Sequence, residues 1–343
     1  MTVRNRSFWL RVCFGVLAVL LVPRAGYATE AGLRSYTVPV SASNPEPISV
    51  VLIYPTQAPA RDIAMGPFTL RVAIGAAPDA KTKGLIVLSH GTGGSELGHG
   101  SLAIALARSG YLVAALRHPG DNWQDRSVWQ RSAGALFTER PRHIANVVDA
   151  LLSDPEWKAR IAADEKGPRV GALGHSAGGY TVVAAAGGRV DLALISAHCA
   201  KEREADPIFC GMGGSNDPAR AVPVVETKAD PRVRAVVAMA PLGVMFTADS
   251  LASIKVPTLI YAAEKDRWLV PRFHAEWIAK NIQGVAFKPV PNAWHFAFMD
   301  RPSFPIPSPD GDAAADPPGF DRAALLANLA DEIPAFFDKA FDK

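Results

Sequence analysis

The chain has little cysteine, no long apolar run and no basic cluster. Only three of its 343 residues are cysteine. The apolar run over residues 12–22 is far shorter than the roughly 20 residues that a membrane span requires, so no stable span is expected. No Lys/Arg-rich cluster is present that could follow a phosphate backbone, which argues against nucleic acid as a partner. Repeats and linkers are also lacking, and residues 29–343 are predicted to form one domain.

The N-terminus has the pattern of a secretory signal peptide. Arginines at positions 4, 6 and 11 precede the apolar run. In the following Gly26-Tyr27-Ala28, small residues occupy the two positions that a signal peptidase recognises. We expect cleavage after Ala28 and a secreted or periplasmic mature protein. The signal contains four arginines and no acids, so its removal changes the formal net charge from +3 to −1.

Two cysteines, Cys199 and Cys210, remain in the mature chain. In an oxidising compartment they are expected to form a disulfide, and a free buried pair is the alternative. His198 precedes Cys199, but a structural zinc site needs four ligands. Two cysteines and one histidine, without a fourth ligand at a suitable spacing, are weak evidence for a metal site.

Apolar runs and helical patterns alternate along the chain, which is typical of parallel crossover units in an α/β fold. Predicted strands cover residues 35–40, 48–54, 68–74, 84–89, 111–116, 169–173, 232–240, 257–263 and 285–290. Predicted helices cover residues 101–110, 140–152, 178–187 and 271–281, and Asp321 is expected to cap a final helix. Residues 189–230 read as an irregular, lid-like insertion, and residues 301–319 read as a Pro-rich loop.

The sequence Gly174-His175-Ser176-Ala177-Gly178 has the G-x-S-x-G pattern and follows a predicted buried strand. A strand that reverses into a helix within a few residues forces the central serine into a strained conformation, which the flanking glycines permit. The Ser176 hydroxyl would then stand clear of the sheet. The Ala177 N–H would lie at a helix N-terminus, where it can face an oxyanion.

A serine nucleophile requires a histidine that accepts its proton and a carboxylate that orients the histidine. In this type of fold the chain order is serine, acid, histidine, and only His274 and His295 come late enough. We choose His295, because it follows the last predicted strand, whereas His274 lies within a predicted helix. Candidate acids are Asp266, which follows a buried strand and is preferred, and the alternatives Glu264 and Asp249.

The segment after the strand at 84–89 is rich in glycine and is a candidate oxyanion loop. The N–H of Thr92 is the candidate second donor beside that of Ala177. His90, and the pair His118 and Asp121, are expected to brace this loop rather than take part in chemistry.

Several segments together resemble the α/β-hydrolases of the dienelactone hydrolase-like and platelet-activating-factor acetylhydrolase-like group. The resemblance is carried by SHGTGG at 89–94, RHPGD at 117–121, GHSAGG at 174–179, Asp266, and HF at 295–296. It implies an eight-stranded, mostly parallel sheet and a Ser176, Asp266 and His295 triad with oxyanion donors at Thr92 and Ala177. It also implies hydrolysis of a carboxylic ester. True dienelactone hydrolases have a cysteine where this chain has Ser176, so dienelactone itself is a doubtful substrate.

These features predict a serine esterase that acts on a small-molecule ester and needs no cofactor or metal. An amidase or peptidase with the same triad is the alternative within enzymes, and a binding protein on the same fold is the alternative outside them. The tryptophans at positions 123, 129, 268 and 294 are candidates for a pocket lining or for core anchors.

Overall fold

The computed structural model describes residues 1–2, 29–42, 44–132, 134–212, 225 and 227–342. The predicted signal peptide therefore lies outside the described residues, apart from its first two. Within the described part of the chain, no helix is both long and apolar enough to cross a membrane.

The described residues form strands, α-helices and three short 3₁₀ turns. The strands are β1 (Glu30–Val38), β2 (Ile48–Thr56), β3 (Arg61–Met65), β4 (Phe68–Ile74), β5 (Leu85–Ser89), β6 (Leu112–Arg117), β7 (Ala163–Asp164), β8 (Gly167–Pro168), β9 (Val170–His175), β10 (Val233–Met239), β11 (Thr258–Ala263), β12 (Ala286–Val290), β13 (Pro307–Ser308) and β14 (Gly311–Asp312). The α-helices are α1 (Gly100–Arg108), α2 (Ala135–Ser153), α3 (Pro155–Lys158), α4 (Ala177–Ala185), α5 (Ala193–Glu202), α6 (Pro207–Met212), α7 (Ala248–Ser253), α8 (Ala275–Asn281) and α9 (Arg322–Phe341). The 3₁₀ turns are Ser127–Gln130, Pro271–Phe273 and His295–Phe298.

One mixed sheet of ten strands organises the described residues, in the order β12-β11-β10-β9-β5-β6-β2-β1-β4-β3. The six strands from β12 to β6 are all parallel, whereas β2 is antiparallel to both β6 and β1. Since parallel strands end at the same edge, the loops that follow β5, β9, β11 and β12 meet there. The mostly parallel α/β architecture predicted from the sequence is confirmed.

Helices cover both faces of the sheet. Helices α1 and α9 pack on one face, and α2, α4, α7 and α8 pack on the other, each with its own apolar core. The central strands β5 and β9 are buried at every position, which explains why their sequences are continuously apolar rather than alternating. This double burial makes the centre of the sheet a rigid support for the loops at its edge.

The predicted count of eight strands is wrong, because the sheet has ten. Strand β3 at the sheet edge was not predicted: it pairs with β4 through a tight hairpin, and its residues are mostly exposed, so it has no apolar pattern. The segment 189–230 is not wholly irregular either, since it contains α5 and α6. The Pro-rich segment 301–319 contains the short hairpin of β13 and β14.

Candidate active site

Ser176 lies between the last residue of β9 and the first residue of α4. Its backbone has φ 58° and ψ −121°, a conformation that residues with a side chain rarely adopt. The flanking glycines are required, because a Cβ at Gly174 would overlap the backbone of Gly178, and a Cβ at Gly178 would overlap the carbonyl of Ser89. The predicted strained strand-to-helix turn is present, with its serine 8% exposed.

The turn is held by hydrogen bonds from the neighbouring strand β10. The Ser176 N–H donates to the Met239 carbonyl (2.9 Å), and the Ser176 carbonyl accepts from the Leu242 N–H (3.1 Å). The last residue of β10 and the segment after it therefore fix both the N–H and the carbonyl of Ser176.

Asp266 and His295 form a buried pair at the same edge of the sheet. Nδ1 of His295 lies 2.7 Å from Oδ2 of Asp266, and both side chains are at most 2% exposed. The other oxygen, Oδ1, accepts hydrogen bonds from the backbone N–H groups of Trp268 and Leu269, both at 2.8 Å. An imidazole that donates its Nδ1–H to a carboxylate keeps Nε2 free as a proton acceptor.

The acids and the histidine that the sequence offered as alternatives to Asp266 and His295 make other contacts. Glu264 accepts the Asn292 N–H (2.7 Å), and Asp249 lies exposed in the first turn of α7. His274 is engaged at both nitrogens: Nε2 lies 3.0 Å from Asp206 Oδ2, and Nδ1 accepts the Gly243 N–H at 3.2 Å. The structure thus brings Asp266, and neither of the other candidate acids, into contact with His295.

A second histidine, His175, contacts the His295 segment and was not singled out from the sequence. Its Nε2–H donates to the His295 carbonyl at 2.9 Å, and the two rings are tilted against each other with centroids 4.9 Å apart. Burial lowers the pKa of His175 well below its usual range, so the ring is neutral. Because His175 immediately precedes Ser176, this bond links the serine turn directly to the His295 turn.

The candidate oxyanion loop, residues 90–95, lies against Ser176. A Cβ built on Gly91 would lie 3.1 Å from the Ser176 Cβ. Among the described residues, the N–H groups of Thr92 and Ala177 have no hydrogen-bond partner. Both are therefore free to donate to a group bound beside Ser176.

A buried arginine on α2, Arg140, holds the loop at residues 90–95 in place. The sequence analysis did not predict this role. Its guanidinium is 1% exposed, pairs with Asp121 and donates to the His90 carbonyl and to Oγ1 of Thr181 (3.0 Å). Asp121 in turn accepts the Gly93 N–H at 2.9 Å. The expected bracing by His90, His118 and Asp121 is observed, since the backbone N–H of His118 also donates to His90 Nε2 at 3.2 Å.

Replacing Arg140 by methionine is expected to lower the free energy of unfolding by about 3–5 kcal/mol, because the Asp121 carboxylate is left buried without its partner. Urea denaturation followed by circular dichroism measures the loss. Lys288→Met is the control, because it removes the cation of an exposed pair with Glu332, which is worth at most about 1 kcal/mol. Equal losses in the two variants would contradict the structural role of Arg140.

Buried histidines surround the site. Burial lowers the pKa of His90 to about 4 and those of His99 and His143 to about 3. Above pH 6.5 these rings are neutral in both the folded and the unfolded chain. As the pH falls below 6.5, the unfolded chain binds protons that the buried rings do not, so folding stability decreases.

We therefore expect the free energy of unfolding to fall between pH 6.5 and pH 4, by about 1.4 kcal/mol per pH unit for each such ring. Urea titrations at pH 7.5, 6.5, 5.5 and 4.5 measure this slope. His99→Phe is a matched variant, because both nitrogens of His99 lack a partner among the described residues. This variant should reduce the slope of the unfolding free energy against pH by about 1.4 kcal/mol per pH unit, the contribution of one ring. An unfolding free energy that does not change with pH over this range would refute the expectation.

Cys199 and Cys210 form the predicted disulfide, which joins α5 to α6. These cysteines pack with Phe209 and Leu269, and Leu269 is one of the two residues whose N–H groups hold Asp266. His198 lies near both sulfurs, and the three ligand atoms are within 4.8 Å of one another. Sulfurs joined in a disulfide are not thiolates, so this group does not form a metal site in the oxidised chain.

Comparisons with known proteins bear on the fold. The sequence matches no protein-family model. No curated protein is similar to it at the sequence level. The solved structure of a ferulic acid esterase from Streptomyces cinnamoneus is similar, with a TM-score of 0.61 and 21% sequence identity, over 93% of this chain and 92% of that chain. This similarity establishes the α/β-hydrolase fold, and membership of the narrower dienelactone hydrolase-like group stays a prediction.

Proposed function

We propose that this protein is a secreted or periplasmic serine hydrolase that cleaves carboxylic esters through an acyl-enzyme intermediate. The observation that carries the proposal is the buried Asp266 and His295 pair, with Nδ1 and Oδ2 2.7 Å apart, at the sheet edge that also holds the strained Ser176. Esterase activity of the structurally similar ferulic acid esterase supports the reaction class. The disulfide is compatible with an oxidising compartment.

In this mechanism Ser176 Oγ attacks the ester carbonyl carbon while Nε2 of His295 takes the hydroxyl proton. Asp266 holds His295 in the tautomer that accepts this proton and stabilises the imidazolium. The N–H groups of Thr92 and Ala177 donate to the tetrahedral oxyanion. When the C–O bond breaks, His295 returns the proton to the leaving alcohol and the acyl group stays on Ser176.

Deacylation repeats these steps with water as the nucleophile. His295 takes a proton from water, the hydroxide oxygen attacks the acyl carbon, and the proton passes to Ser176 Oγ as the carboxylic acid leaves. The same groups therefore serve both halves of the cycle, and this chemistry uses the protein's own side chains.

The proposal is tested by steady-state hydrolysis of p-nitrophenyl esters from acetyl to long acyl chains, with the matched p-nitroanilides alongside. A fluorophosphonate probe, followed by mass spectrometry of the modified peptide, identifies the nucleophile. Ester turnover with labelling at Ser176 supports the proposal. Preference for anilides would indicate an amidase, and absence of both turnover and labelling would indicate a binding protein.

The contact between His175 and His295 leads to a prediction about positioning. His175→Phe keeps a ring against His295 but removes the N–H that holds its carbonyl, so kcat is expected to fall by about tenfold or more with little change in KM. His175→Gln retains an N–H donor and should recover part of the rate. The control His99→Phe alters the neighbouring ring without removing a hydrogen bond. A phenylalanine variant with wild-type kcat would show that the bond does not position the base.

A further inference from the structure

The ring of Trp268 stacks on His295, the base of the proposed mechanism. The two ring centroids are 5.5 Å apart, and the planes of the rings meet at 25°. The Phe296 ring stands nearly perpendicular to both, with its centroid 5.1 Å from that of His295 and 5.5 Å from that of Trp268. Nearly parallel planes at this separation form an offset stack, so the imidazole lies along the face of the indole rather than at its edge.

Two sets of contacts fix the Trp268 ring. Its backbone N–H donates to Oδ1 of Asp266 at 2.8 Å, and Leu269 donates its own backbone N–H to the same oxygen. The indole, which is only partly exposed, packs against the cluster formed by the disulfide, Phe209 and Leu269. The ring is therefore in place before a substrate binds, and it needs no rearrangement when the charge of His295 changes.

The charge of His295 changes during the proposed reaction. The imidazole is neutral before it accepts the Ser176 proton, and it becomes an imidazolium in the transition state. The face of an indole attracts a cation within about 6 Å of its centroid, and the attraction is strongest where water is excluded. The His295 side chain is 2% exposed. The stack thus favours the transition state over the resting enzyme, which is what an interaction must do to raise kcat.

We propose that Trp268 is a positioning residue for the base: its ring holds His295 in place and stabilises the imidazolium that forms in acylation and in deacylation. This inference rests on the proposed esterase function. Asp266 remains the stronger partner, because its carboxylate bonds Nδ1 directly and its loss is expected to cost about 10⁴-fold in kcat. A cation over an indole face accounts for about three- to thirtyfold.

Replacing Trp268 by leucine tests the stack, with p-nitrophenyl acetate as the substrate. Leucine keeps an apolar side chain against the disulfide cluster but has no π face. Above the acidic limb of the pH profile, we expect kcat and kcat/KM to fall together by about three- to thirtyfold, because the imidazolium forms in both halves of the cycle. Trp268→Phe keeps a ring with a weaker face and should give an intermediate loss.

The pH profile separates this role from a merely structural one. The stack stabilises the protonated form of His295. Without it, the acidic limb of the kcat/KM profile should move to lower pH, by about 0.5–1.5 pH units for the same three- to thirtyfold. Below the limb the wild-type base is already protonated and gains nothing further in the transition state. The rates of variant and wild type should therefore converge as the pH falls, over the range in which circular dichroism shows both folded.

Trp294→Leu is the matched control. Trp294 precedes His295 and is also partly exposed, but its ring lies under the guanidinium of Arg267, whose central carbon is 4.5 Å from the ring centroid. This variant therefore removes an indole from the same region without removing the stack. It should leave the acidic limb unmoved and kcat/KM close to that of the wild type.

A loss in Trp268→Leu that is the same at every pH, or one confined to KM, overturns the inference, as does an equal shift of the limb in Trp294→Leu. If Trp268→Leu does not fold, Trp268→Phe is judged by the same criteria. A wild-type protein that neither hydrolyses esters nor is labelled at Ser176 overturns the proposed function, and the inference with it, so the two failures are told apart.

Discussion

Ser176→Ala is expected to lower kcat for p-nitrophenyl ester hydrolysis by about 10⁴- to 10⁶-fold, with KM changed little. The variant loses the oxygen that forms the acyl-enzyme, whereas the free N–H groups of Thr92 and Ala177 remain and keep a small residual rate. Steady-state kinetics of the purified wild-type and variant proteins measure the loss. Active-site titration with a slow ester confirms the fraction of competent sites.

The matched control for this experiment is Ser153→Ala. Ser153 is the exposed last residue of α2, the helix that leads from the carboxyl end of β6 back towards the amino end of β9, so its hydroxyl has no expected role in the reaction. Its kcat/KM should stay within about twofold of the wild type. If Ser176→Ala also stays within tenfold, another nucleophile carries the reaction and the acyl-enzyme mechanism at Ser176 is wrong.

Asp266→Asn is expected to lower kcat by about 10⁴-fold while the protein still folds. The amide oxygen of asparagine can still accept the N–H groups of Trp268 and Leu269, so the loop keeps its shape. The amide NH₂ group, however, would face Nδ1 of His295 and favour the tautomer with its proton on Nε2. That tautomer cannot accept the proton of Ser176.

The two other candidate acids provide the controls. Glu264→Gln and Asp249→Asn are expected to change kcat by less than about threefold, because neither carboxylate contacts His295. Thermal unfolding of each variant checks that any loss of rate is not a loss of structure. A large loss in Glu264→Gln together with a wild-type rate in Asp266→Asn would assign the acid role to Glu264 instead.

Much of the sheet and the serine turn could be predicted from short stretches of sequence. The run at 84–89 and the run before Gly174 are continuously apolar because β5 and β9 are buried on both faces. The G-x-S-x-G pattern predicts the turn at Ser176 because the steric conflict that Gly174 relieves is with Gly178, within the same five residues. The conflict that Gly178 relieves is with the distant Ser89 carbonyl, and only the fold shows it. The choice of Asp266 and His295 was possible because each directly follows a strand that ends at the same edge.

Elements without a local pattern escaped prediction. Strand β3 is held by backbone pairing with β4, and its side chains are mostly exposed, so no alternation of apolar residues marks it. The break between the 3₁₀ turn at Pro271–Phe273 and α8 occurs at His274, whose ring bonds Gly243 and Asp206. Neither partner is near His274 in the sequence.

By itself, therefore, the sequence determined the α/β order of elements and the strained turn at Ser176, because both depend largely on residues that are neighbours along the chain. It left three candidate acids, and the contact of Asp266 with His295, 29 positions away, was decided by the fold. Only the tertiary structure decided the contacts between distant residues. Arg140 meets His90 across 50 positions, and His175 meets His295 across 120. Such pairings depend on which loops the folded sheet brings to one edge, and no local preference encodes them.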